Sequence, residues 1–162
     1  MPNTIVINTS PIIALVSALG DLEILSYLYQ QVLVPYEVCQ EILAGGKIGF
    51  AISAFDNDTY LQKQSSPLQI SPFLLNSLDL GEASVIQLAL DKKITTVCID
   101  EAIGRRIARL NGLSLTGSIG ILLKAKQKGY NISIRNCIDN MKKSHIYLSQ
   151  SLIDCAIEQA GE

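Results

Sequence analysis

Lys and Arg are absent from the first 46 residues, and charged residues make up only 17% of the chain. The positively charged start of a secretory signal is missing, so a cytoplasmic protein is expected. Long apolar runs are missing too. The longest, Pro11 to Val16, is broken by Ser17 and falls far short of the roughly 20 residues that span a bilayer, so no membrane partner is expected. Cys39, Cys98, Cys137 and Cys155 form no C-x-x-C pair, which fits neither a zinc site nor a disulfide scaffold and leaves buried thiols as the expectation. The single histidine, His145, has no Ser or Cys in an elbow beside it, so triad chemistry lacks a base and His145 reads as a surface residue. No internal repeat or low-complexity segment occurs.

What is present is apolar. Hydrophobic residues reach 48% of 162 residues and mean hydropathy is +0.29, enough to fill the core of a single domain over residues 1–162 and to exclude disorder as the main state. Net charge is -2, yet 11 of the 13 basic residues lie between Lys92 and Lys143, opposed only by Asp100, Glu101 and Asp139. That stretch carries about +8 and sets a basic surface against an otherwise acidic chain.

Thr4 to Ile7 is a β-branched run that breaks into Asn8-Thr9-Ser10-Pro11, a strand meeting a helix start, with Thr9 or Ser10 as cap and Pro11 in the first turn. The helix Ile12 to Leu19 closes at Gly20, and a second amphipathic piece spans Leu22 to Gln30 behind Asp21. Val32 to Val34 is a strand ended by Pro35. A helix over Tyr36 to Ala44 stops at Gly45-Gly46. Residues 48 to 78 carry little pattern beyond a helix before Asp56. Glu82 to Lys92 is helical, Thr95 to Ile99 is a buried strand, Ala102 to Asn111 is helical, and Leu113 to Leu115 is extended. Ile119 to Lys128 and Leu148 to Ala160 complete the helices. Strands alternating with helices, with no hairpin signal, predict a three-layer α/β/α fold around a parallel sheet of four to five strands.

In such folds ligands gather beyond the carboxyl ends of the strands, where Asn8 and Asp100 both lie. Three acids draw notice, and each has an ordinary explanation. Asp100 is placed to cap the helix after it. Glu41 in Val34-Pro35-x-x-Val38-x-x-Glu41 sits beside apolar Ile42 and Leu43, where a surface glutamate is common. Glu82 in Leu80-Gly81-Glu82-Ala83 opens a helix whose dipole favours a carboxylate.

Their combination resembles the PIN-domain superfamily, the fold of many prokaryotic toxin endoribonucleases. The Thr-Ser-Pro-Ile-Ile-Ala-Leu start, Leu115-Thr116-Gly117-Ser118-Ile119-Gly120 and the final Ala160-Gly161-Glu162 resemble one prokaryotic branch of it, with Asn in place of the first Asp. The resemblance implies metal ligation by Asn8, Glu41, Glu82, Asp100 and Glu101, with Asp79 as a further auxiliary, and catalytic roles for Glu41, Glu82 and Asp100. It implies Mg²⁺ or Mn²⁺ as cofactor, and hydrolysis of RNA to 5'-phosphate and 3'-hydroxyl ends. A small antitoxin protein and a homodimer are the implied partners.

Because acids crowded within ~4 Å repel by about 4 kcal/mol per pair at an effective dielectric of 20, at least one is expected to have a raised pKa. Asn8 removes one negative charge, which predicts weak metal binding with Mn²⁺ preferred. Arg105, Arg106 and Arg109 follow Asp100 on one helix and are candidates for RNA phosphate contacts. Gly117-Ser118-Ile119-Gly120 lacks the Lys of a P-loop and reads as a close-packing turn, while the resemblance implies that Thr116 or Ser118 orients water or substrate, with Ser118 as an RNA contact. The rival reading is a PIN fold that no longer cuts and serves as an RNA-binding or protein-interaction module. A phosphoacceptor domain fits less well, because residues 4 to 20 contain no acid.

Overall fold

The computed structural model describes residues 3–45 and 49–162. It begins with β1 (Thr4–Ile7), α1 (Thr9–Leu19), α2 (Glu23–Leu28), β2 (Gln31–Val34) and α3 (Tyr36–Leu43). The middle supplies α4 (Ile52–Asn57), β3 (Gln62–Lys63), α5 (Pro72–Ser77) and α6 (Leu80–Lys92). The last part runs β4 (Thr96–Cys98), α7 (Ala102–Leu110), β5 (Ser114–Thr116), α8 (Ser118–Gln127), α9 (Ile134–Lys143) and α10 (Gln150–Gln159).

The strands form one five-stranded sheet in the order β3-β2-β1-β4-β5, every pair parallel. Helices flank it in three layers, as the alternation predicts. β1 is central, and all four of its residues are buried, which is why it reads as an unbroken apolar run rather than an alternating one. Each fully buried aliphatic side chain there contributes about 1.5–3 kcal/mol. α6 packs on β1 and β4 and is buried on most sides, from Gly81 through Ile86 and again at Leu88 and Ala89, so it shows little amphipathic contrast.

Three local readings change. Neither Thr9 nor Ser10 caps α1: the N-cap is Asn8, without a side-chain cap bond, because the two hydroxyls are used elsewhere. Cys155 is exposed whereas Cys39, Cys98 and Cys137 are buried. The segment after α8 holds α9, anchored by buried Ile134, Cys137, Ile138 and Met141. Gly46, the second glycine expected to stop α3, lies outside the described residues; Gly45 takes φ +86°, the left-handed conformation that glycine adopts at little cost.

The chain leaves β1 to build β2 and β3 on one side, then returns to build β4 and β5 on the other. The strand order therefore reverses between β1 and β4, and their carboxyl ends open the crevice where ligands of such sheets bind.

Candidate metal centre at the strand switch point

Asn8 stands at this crevice. Its backbone N–H donates to the Cys98 carbonyl at 3.1 Å, holding the end of β1 to β4. Its side chain is only 3% exposed, and Oδ1 has no hydrogen-bond partner. An orphaned buried acceptor costs about 1–3 kcal/mol, so this oxygen is placed for something beyond the protein. Next to it, the Thr9 hydroxyl donates to Glu41 Oε1 at 2.8 Å. Glu41 sits one turn after the fully buried Val38, so the apolar anchor of α3 aims the acid at the start of α1.

The opposite wall is the N-terminus of α6. Asp79 is its N-cap and accepts the Glu82 N–H at 2.8 Å, the arrangement that Asp-x-x-Glu favours at a helix start. Gly81 between them leaves an open cradle. A Cβ there would lie 2.7 Å from Glu41 Oε1, 3.3 Å from Asn8 Oδ1 and 3.6 Å from Asp79 Oδ1, so three oxygens from three elements surround one small space.

Ligand atoms of Asp79, Glu82 and Glu101 lie within 4.8 Å of one another. Glu82 is 5% exposed, and its Oε2 is unpartnered, close against Gly104, where a Cβ would lie 3.0 Å from it. Burial, and then the negative charges of Asp79 and Glu101, push the Glu82 pKa up to about 7. Glu101 also accepts a long hydrogen bond from the Ser10 hydroxyl at 3.4 Å.

Asp100, next to Glu101, is engaged by the start of α8. Its Oδ1 accepts the Ser118 N–H at 2.8 Å and its Oδ2 accepts the Ser118 hydroxyl at 2.9 Å, so the carboxylate ties α8 to the end of β4. It does not cap α7, whose N-cap is Glu101. Burial raises the Asp100 pKa, opposed by the Ser118 bonds and Arg105. A Cβ on Gly117 would lie 2.7 Å from Asp100 Oδ1, which makes the Gly117-Ser118 turn a close-packing device. Arg105 is partly buried, donating to the carbonyls of Ile99 at 2.7 Å and Thr116 at 3.3 Å. Asp100 and Arg105 line a cavity of about 790 Å³ that also borders α10 and exposed His145.

The structure therefore gathers Asn8, Glu41, Glu82 and Glu101 with Asp79 at the crevice. It ties Asp100 to Ser118, with Arg105 beside them, in a partly buried network at the end of β4. Arg106 and Arg109 are exposed on α7. Sequence reasoning missed Thr9 and Gly104, which carry no signal of their own; the role of Gly81 follows only once Glu41 is known to face it.

An all-oxygen donor set with carboxylates suits a hard divalent cation of the Mg²⁺ or Mn²⁺ type. The two orphaned oxygens and the empty cradle beside Gly81 fit one. A parallel three-layer sheet with acids collected at its switch point defines an α/β/α protein with an acidic crevice. Consistent with that, the family model of the PIN domain matches residues 4–162, and the chain belongs to this family. Divalent metals are the family's usual cofactors. No curated protein and no solved structure matches the chain. Among the described residues, no helix is long and apolar enough to cross a membrane.

Proposed function

We propose that residues 1–162 form a single-domain, metal-dependent endoribonuclease, the toxin of a toxin–antitoxin pair, working in the cytoplasm as a homodimer. The observation that carries the nuclease reading is the pairing of two buried, unpartnered oxygens, Asn8 Oδ1 and Glu82 Oε2, with the Asp79, Glu82 and Glu101 carboxylates. The antitoxin and the dimer rest on the motif resemblance. Asn8, Glu41, Glu82, Asp100 and Glu101, with Asp79 as an auxiliary, would hold Mg²⁺ or Mn²⁺, which when bound supplies charge neutralisation at the scissile phosphate.

The chain's own residues prepare that site. Thr9 fixes Glu41 through its hydroxyl, and Asp79 fixes the first turn of α6 and with it Glu82. Glu82 releases its proton near pH 7, so the site reaches full negative charge only around neutrality. Arg106 and Arg109 position the RNA backbone without reading its bases. Water oxygen attaches to phosphorus, the bond from phosphorus to the 3' oxygen breaks, and that oxygen takes up a proton, leaving 5'-phosphate and 3'-hydroxyl ends.

Asn8 favours one rival reading, a noncatalytic RNA-binding or protein-interaction module, because a neutral amide weakens cation binding where a carboxylate would strengthen it. Incubating the protein with single-stranded RNA and Mn²⁺ separates the two. Cleavage to 5'-phosphate ends, reduced about 100-fold or more by Glu82→Gln, about 3 kcal/mol of transition-state stabilisation, supports the nuclease. RNA bound but uncut at millimolar Mn²⁺ supports the module.

A further inference from the structure

We infer that the cavity bordered by α1, α8 and α10 receives one unpaired base of the RNA, guanine in preference, from a nucleotide beside the scissile phosphate. This rests on the nuclease reading above and adds a base-reading pocket to it. The cavity measures about 790 Å³, within the roughly 300–1,000 Å³ of small-molecule sites. Ile13, Ile119, Leu123 and Leu152 give it apolar walls, and Arg105 supplies a charged donor. A base matches that lining, with flat apolar faces and a hydrogen-bonding edge.

Continuity with the crevice favours RNA as the occupant. Ser10 lines the cavity and donates to Glu101 of the acidic group at 3.4 Å, so one residue borders both spaces. A strand with its phosphate at the crevice can therefore place a neighbouring base in the cavity. Arg105 differs from the exposed Arg106 and Arg109 in being partly buried, and its Nη1 is tethered to the Ile99 and Thr116 carbonyls. A guanidinium has five N–H donors in a rigid plane and no acceptor, so this tether leaves Nε and Nη2 for a ligand. Guanine offers such a fork two adjacent acceptors, O6 and N7.

Tyr147 also lines the cavity, yet it is 86% exposed. Its place on the connection from α9 to α10 is fixed. The Ile146 N–H donates to the Met141 carbonyl at 3.1 Å and the His145 N–H to the Lys142 carbonyl at 2.9 Å, with His145 at φ +63°, a helix-closing motif that sets the direction of the chain. Ile146 and Leu148 on either side pack against the core, while the ring between them stands out at the rim. A ring held there is a stacking platform for a base.

The test sequences the ends that wild type and Cys155→Phe leave on a random single-stranded RNA pool in Mn²⁺. Beside it, anisotropy titrations in chelator compare oligonucleotides that differ only in having or lacking guanine, for wild type, Cys155→Phe, Tyr147→Ala and Tyr147→Phe. Cys155 is exposed and lines the cavity, so phenylalanine there fills the space at little cost to the fold, which the melting temperature checks. Wild type is expected to favour guanine about fivefold or more, both at one position beside the cut and in binding. Cys155→Phe should erase that preference while cutting continues. Tyr147→Ala should bind the guanine oligonucleotide about fivefold or more weakly, and Tyr147→Phe, which keeps the ring, should restore binding.

No guanine preference in wild type, or a preference and affinity that Cys155→Phe and Tyr147→Ala leave unchanged, overturns the pocket. Wild-type RNA behaviour in Cys155→Phe with a changed oligomeric state on gel filtration assigns the cavity to a protein partner and overturns it as well. RNA bound with the guanine preference but left uncut overturns the nuclease reading and keeps the pocket, whereas RNA neither bound nor cut overturns both.

Discussion

A Cβ at Gly81 would meet the far end of a flexible side chain, Glu41 Oε1 at 2.7 Å, so Gly81→Ala asks Glu41 to swing and leaves the backbone alone. Alanine is favoured over glycine within a helix by about 1 kcal/mol. This variant is therefore expected to melt at or above the wild-type temperature and yet to bind Mn²⁺ about tenfold more weakly, about 1.4 kcal/mol. Differential scanning calorimetry and a metal titration on one sample check both halves. Glu82 offers a second prediction. Its folded pKa of about 7 stands above the ordinary 4.5, so the metal-free fold retains a proton that the unfolded chain has released. That stabilisation is complete below about pH 4.5 and is lost as pH rises through about 7; its full size is about 3 kcal/mol. In chelator, melting temperature should fall from about pH 5 to about pH 8, and Glu82→Gln should flatten the decline. At this scale the sequence was least informative. Asp100 and Glu101 are neighbours of similar chemistry, and only the turn that brings Ser118 onto Asp100 tells them apart.

Among elements, α9 shows how one acid secures a helix far from the crevice. The Glu162 side chain accepts the N–H groups of Ile134 at 2.7 Å and Arg135 at 3.2 Å, together with the Ser133 hydroxyl at 2.9 Å. Lys126 pairs with it as well. The Lys126 bond first, then the backbone donors, lower its pKa to about 2. The stabilisation is present above about pH 4.5 and disappears as pH falls toward about 2. Glu162→Gln should cost about 1–3 kcal/mol in urea unfolding at neutral pH and lose that penalty in acid. α9 was legible in principle, since Ile134, Cys137, Ile138 and Met141 follow helical spacing behind a serine cap. β3 was not: two residues, Gln62 and Lys63, on a sheet edge are too short for any alternation to appear. α5, at six residues, is near the same limit.

For the whole molecule, the parallel sheet was readable because β1 and β4 are short apolar runs bounded by polar residues, with helical patterns between them. The sheet then explains why Asn8 and Glu101, distant in sequence, share a crevice. Charge is divided in a related way. The acids collect at the switch point, while Arg106 and Arg109 stay exposed on α7, the helix that Glu101 caps. Replacing either arginine with glutamine should weaken RNA binding with little regard to sequence and reduce the salt slope by about 1 each. A fluorescence anisotropy series over salt concentration measures that slope, and an unchanged slope would remove α7 from the interface.

The central claim is that the crevice at the β1 and β4 ends is a divalent-cation site organised around buried Glu82. Calorimetric titration of Mn²⁺ into wild-type protein and into Glu82→Gln tests it most directly, because no substrate has to be chosen. Binding in the micromolar to millimolar range that the variant loses is the predicted result. Equal heats in both proteins, or none in either, would contradict it.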